Sequence, residues 1–87
     1  DYNGLDDLTL YPNPVTDQVT IGFSLAEPDQ VNVRLMDMTG KTLRQSVYAG
    51  EQGANSLHFG LQDVAKGLYL IEISNAYGRS VRKITVQ

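Results

Sequence analysis

The chain has 87 residues, with seven Lys plus Arg against ten Asp plus Glu and a net charge of -3. That makes one small domain, long enough to bury a core of its own without a staple. Its acidic balance argues against a nucleic-acid partner, which needs a basic stripe, and the lack of cysteine excludes disulfides, thiolate metal sites and a cysteine nucleophile.

Hydrophobic residues at 41% and charged residues at 20% are an ordinary globular composition. The apolar runs are only a few residues long, so no membrane-spanning helix is expected. No basic-then-apolar leader opens the chain, and no signal peptide is expected in this stretch.

Residues 1–7 are polar, with three Asp, and read as the end of a linker leading into a domain over residues 8–87. Leu8-Thr9-Leu10-Tyr11 alternates as a short strand and is stopped by Pro12 and Pro14, which remove two backbone donors. From Gln18 to Leu25 the alternation is clean, with Val19, Ile21, Phe23 and Leu25 on one face. A turn at Ala26-Glu27-Pro28-Asp29 leads to a strand with Val31, Val33 and Leu35 inward and Asn32, Arg34 and Met36 opposite.

Asp37-Met38-Thr39-Gly40-Lys41 is a hairpin turn, with Gly40 supplying a positive φ. A strand over residues 42–48 follows, then a loop over 49–55 that contains two glycines. Leu57 and Phe59 mark a further strand, and their alternation sends His58 to solvent. The stretch between Gly60 and Gly67 predicts a tight corner rather than a helix. Residues 68–75 form the most strand-like run, with Tyr69, Ile71 and Ile73 on one face. A turn at Asn75-Ala76-Tyr77-Gly78 leads to the last strand over 80–86. There the inward set passes from Val81 to Ile84 and Val86, which predicts a bulge near Arg82. Seven short strands with turn residues between them predict an all-β, immunoglobulin-like sandwich of antiparallel strands.

The chemistry of catalysis is thin. His58 is the single histidine and has no nucleophile beside it. Asp17, Asp29, Asp37 and Asp63 stand singly at turns, where Asp bonds its own backbone. A calcium site from Asp1, Asp6 and Asp7 is conceivable on oxygen ligands but lacks EF-hand spacing. The glycines never take the spacing of a phosphate loop. Tyr2, Tyr48, Tyr69 and Tyr77 are the aromatic residues that a sugar-stacking face would use, without an obvious planar row. No enzyme activity, cofactor or metal is expected.

Four stretches carry a resemblance. They are Tyr11-Pro12-Asn13-Pro14 ahead of an alternating strand, the Asp37, Gly40, Lys41 hairpin, Gly67 and Tyr69 opening a strand, and Lys83-Ile84-Thr85-Val86 near the end. Together and in this order they resemble the C-terminal sorting domain of the bacterial type IX secretion system of Bacteroidetes. Each also has a reading in fold alone, as a turn, a strand entry or a strand end.

The resemblance implies a sorting signal that directs an upstream passenger through the outer membrane, from the periplasm to the cell surface or exterior. The implied partners are the translocon, an outer-membrane shuttle protein and a surface sortase that removes the domain. The segment they are expected to read is Lys83, Ile84, Thr85, Val86 and Gln87. The domain itself is expected neither to insert in the membrane nor to bind nucleic acid. A second reading, an immunoglobulin-like accessory module that binds carbohydrate or protein at the cell surface, shares the fold.

Overall fold

The computed structural model describes residues 6–12, 15 and 17–87, with the backbone alone for Asp6 and Asp7. Seven strands run in chain order: β1 Asp6–Tyr11, β2 Gln18–Leu25, β3 Asp29–Met36, β4 Thr42–Gly50, β5 Gly53–Gly60, β6 Gly67–Asn75 and β7 Gly78–Val86. They form two antiparallel sheets, one of order β1-β2-β5 and one of order β4-β3-β6-β7. This is an all-β sandwich of the immunoglobulin-like kind.

The period-two pattern builds it. Val19, Ile21, Phe23 and Leu25 of β2, with Leu57 and Phe59 of β5, face Val31, Val33 and Leu35 of β3, Ile71 and Ile73 of β6, and Ile84 and Val86 of β7. Val15 and Leu61 enter this core from outside the strands. Burying each such side chain stabilises the fold by roughly 1.5–3 kcal/mol. Tyr48, one of the four candidates for a sugar-stacking face, packs on this core, its ring meeting Phe23 edge to face at 5.9 Å.

Three sequence expectations are corrected by the strands. The loop expected over 49–55 is mostly strand, because only Glu51 and Gln52 separate β4 from β5. Asn55 makes the change of direction possible. Its buried amide accepts from the Glu51 N–H at 2.8 Å and donates to the carbonyls of Glu51 (2.8 Å) and Gly53 (3.0 Å). No bulge occurs near Arg82, since β6 and β7 pair residue for residue from Gly67↔Val86 to Asn75↔Gly78.

Val81 therefore lies on the outer face, opposite Glu72, and Arg82 takes the inward phase opposite Ile71. Arg82 is nonetheless exposed. The bulges lie elsewhere, in the β1–β2 pairing between Asp6 and Thr9 and in the β3–β4 pairing beside Met36.

Candidate recognition pole

Antiparallel pairing sorts the connections between the two ends of the sandwich. One end carries the close of β1, the start of β2, the β3–β4 hairpin, the β5–β6 corner and the end of β7. The other carries the β2–β3, β4–β5 and β6–β7 turns. Every motif residue that the structure describes lies at or near the first end, although these residues are spread from Tyr11 to Lys83 in sequence. Asn13 and Pro14 lie outside the described residues, as do Asp1 and Tyr2.

The hairpin between β3 and β4 is held by Asp37. Its carboxylate Oδ1 accepts from the Thr39 N–H (2.9 Å), the Thr39 hydroxyl (2.5 Å) and the Lys41 N–H (3.0 Å). The Thr39 hydroxyl first, then the Lys41 amide, hold the Asp37 carboxyl below its usual range, and the Lys41 charge adds to them. Gly40 sits at φ +93°, a conformation that side chains with a Cβ rarely adopt, and its N–H closes the turn on the Asp37 carbonyl at 3.0 Å.

At the corner before β6, Gly67 has φ +151°, and only the Tyr69 ring lies near the place a Cβ would take, at 3.8 Å. The constraint there comes from the backbone rather than from space. Tyr69 is half-buried against the core, and its hydroxyl donates to the Ala65 carbonyl at 2.6 Å, across the corner. Tyr69 is thus a structural residue rather than part of an open aromatic face. The same corner is tied down by Leu61, whose N–H reaches the Asp17 carbonyl at 2.8 Å, and by Arg44, which donates to the Gly60 carbonyl at 3.0 Å and to the Gln62 carbonyl.

The end of β7 meets this corner directly. Gly67 pairs with Val86, Tyr69 with Ile84 and Leu70 with Lys83. On its other side β7 receives Val15, whose N–H donates to the Thr85 carbonyl and whose carbonyl accepts from the Gln87 N–H, both at 2.8 Å. This parallel bridge covers residues 85–87; nearer the β6–β7 turn, no described strand pairs along that edge. The five residues expected to be read thus divide. Ile84 and Val86 are core, Thr85 is half-buried, and Lys83 and Gln87 are exposed. Tyr11 and Pro12, joined by a cis peptide, are exposed at the same end.

His58 is exposed, as its alternation predicts, and its Nδ1 lies 3.0 Å from the Thr20 hydroxyl on the neighbouring strand. Among the described residues there is no pocket, and no group of three or more His, Asp or Glu that could hold a metal. One arrangement escaped the sequence reading. Glu72, buried on the outer face of β6, is paired with Arg34 of β3 at 2.8 Å and with Arg79 of β7 at 3.2 Å. A lone Glu within the apolar run of β6 was the available signal, but only the sheet order reveals its two partners.

Among solved structures, a β-glucosidase from Listeria innocua in complex with glucose is similar at a TM-score of 0.49 and 16% identity. The likeness covers 98% of this chain and 16% of that one, so the chain spans about a sixth of the length of the structure it matches. No curated protein sequence matches the chain. A family model described as the secretion system C-terminal sorting domain, which serves type IX secretion, matches residues 9–87. That family is not an enzyme class; membership implies an upstream passenger, the type IX machinery, and export to the cell surface or the extracellular space. With nearly its whole length matched, and with its hairpin, corner and terminal-strand motifs gathered at one end of the sandwich, the chain belongs to the type IX secretion C-terminal sorting domain family.

Proposed function

We propose that the type IX machinery recognises this domain, in its folded form, at the motif-bearing end, through the exposed residues of its terminal segment. The supporting observation is the division of residues 83–87. Ile84 and Val86 are committed to the core, so a partner that binds the folded domain meets Lys83, Gln87 and part of Thr85. The edge of β7 beyond the Val15 bridge, along which no described strand pairs, offers backbone groups for strand addition, a common mode of peptide recognition. In this reading the passenger enters through residues 1–7, crosses the periplasm, and passes the outer membrane with the help of a shuttle protein. A sortase then cleaves within the linker.

The domain contributes binding and no chemistry. Ile84 and Val86 hold the terminal strand in register, and the Val15 bridge fixes where it ends. Deleting residues 83–87 is a poor test, because it removes two core side chains along with the exposed ones. The informative variant is Lys83→Glu combined with Gln87→Ala, fused behind a periplasmic reporter in a host with the type IX machinery. Retention of this variant in the periplasm, at an unchanged melting temperature, is expected. Export equal to the parent's would refute recognition through these side chains. N-terminal sequencing of the domain released at the surface checks the cleavage, with a first residue within 1–7 expected.

A further inference from the structure

The pairing registers lay out the outer face of the four-stranded sheet in rows. One row runs Val47, Asn32, Ser74, Arg79; the next Gln45, Arg34, Glu72, Val81; the next Thr42, Met36, Leu70, Lys83. Leu68, opposite Thr85, follows, and Leu43 is the extra residue in the bulge beside Met36. Leu68, Val81, Leu43 and Val47 are 40–57% exposed, and so form a large share of the exposed large apolar side chains of the described residues.

Charge is segregated onto the same sheet. Its strands carry Arg34, Arg44, Arg79, Arg82 and Lys83, five of the seven Lys and Arg in the chain. Strands β2 and β5 of the other sheet carry no charged residue at all. On the outer face stand Arg34, Arg79 and Lys83 against the single carboxylate of Glu72. Glu72 uses both of its oxygens, Oε1 on Arg34 and Oε2 on Arg79, and so fixes the two guanidinium groups in place without cancelling the face's positive sign.

We propose that this face is a docking surface for an acidic protein surface. The carrying observation is charge complementarity: a preorganised cationic and aliphatic face on a chain whose net charge is -3. Arginine is among the residues enriched at protein interfaces. A lipid surface is disfavoured, because the protruding side chains are aliphatic and the rows contain no aromatic residue of the kind that anchors at a bilayer interface. The surface meets the terminal segment at Lys83, but Arg34, Arg79 and the exposed aliphatic side chains of β4 and β6 lie outside residues 83–87, and its role does not rest on recognition of that segment.

The test titrates the chain with a short capped synthetic peptide of alternating Glu and Val, following backbone amide signals by NMR. Saturable shifts are expected at Gln45, Arg34, Glu72, Leu70 and Val81, with binding weakened several-fold when salt is raised. The double variant Gln45→Glu, Val47→Glu, on the strand farthest from β7, is expected to bind about tenfold or more weakly. Its melting temperature should match the parent's; if it does not fold, Arg79→Gln takes its place. Absence of saturable shifts, shifts on β2 and β5 instead, or equal binding of a Lys-Val peptide overturns the proposal. So do shifts of this face with phosphatidylglycerol vesicles but not with the peptide, and shifts with chain concentration alone, which would assign the face to lipid or to a second copy. Normal export of the double variant together with lost peptide binding would separate this surface from the sorting segment.

Discussion

The two ends of the sandwich solve the same problem with different means. At the end opposite the motifs, the β4–β5 and β6–β7 turns are closed by neutral amides. Asn55 bonds the backbone of Glu51 and Gly53, and Asn75 accepts from the Tyr77 N–H at 2.9 Å. Each end also has two glycines at positive φ, Gly53 and Gly78 there and Gly40 and Gly67 at the motif-bearing end. What sets the motif-bearing end apart is a charged Asp37 that gathers three donors and the convergence of four separate segments: the Asp17 and Val15 stretch, the hairpin, the corner and the end of β7. Both ends are well satisfied, so hydrogen bonding alone does not explain why the family pattern collects at one of them. The difference is that one end also presents the exposed tail of the last strand. In the proposed reading fold maintenance and recognition overlap there, and experiments have to separate them by matching stability between the ends.

The largest effects should fail to distinguish the two ends. Ile84→Ala at the motif end and Leu25→Ala at the other each remove a buried aliphatic side chain. Both are expected to cost about 2–5 kcal/mol in chemical denaturation. A cost confined to Ile84 would show that the motif end alone holds the fold. Next comes Gly67→Val, expected to lose about 1–3 kcal/mol from its backbone conformation, with no clash to relieve; an unchanged melting temperature would contradict the strain argument.

Asp37 and Asn75 sharpen the comparison by pH. The folded Asp37 pKa is depressed, so its contribution is present above the unfolded carboxylate value and is lost as pH falls through the lower folded value. The stability gap between the parent and Asp37→Ala should therefore be full at neutral pH and shrink in acid. The gap for Asn75→Ala should not change, and thermal melts across that range check both. The smallest stability effects belong to exposed side chains. Lys83→Ala and Tyr77→Ala should each stay within about 0.5 kcal/mol of the parent. Only the first should reduce export of a fused reporter, and equal export of the two would remove the distinction between the ends.

Much of the fold was legible because alternation reports burial directly. Val19 to Leu25, Val31 to Leu35 and Leu57 with Phe59 take the inward positions that their spacing predicts. The misreadings have physical causes. Gly and Asn between residues 49 and 55 look like loop composition, yet Asn55 uses its amide to let the strands run almost to the turn. Val81 looks inward beside Ile84, yet the two are three residues apart, and continuous pairing without a bulge puts them on opposite faces.

The site was legible in part. Motif positions were identifiable one by one, whereas their convergence at one end depends on strand order. The core role of Ile84 and Val86, set against the exposure of Lys83 and Gln87, follows from alternation only once the register of β7 is known. The Arg34–Glu72–Arg79 network joins three strands that are distant in sequence and was beyond local reading.

The most direct test of the central claim is export itself. The 87-residue chain is fused behind a periplasmic reporter and expressed in a host with intact type IX machinery and in the same host with the translocon deleted. Reporter at the surface or in the medium only in the intact host is the predicted result. Reporter retained in both hosts, from a fusion that is folded and stable, would contradict the claim that this domain is a sufficient sorting signal.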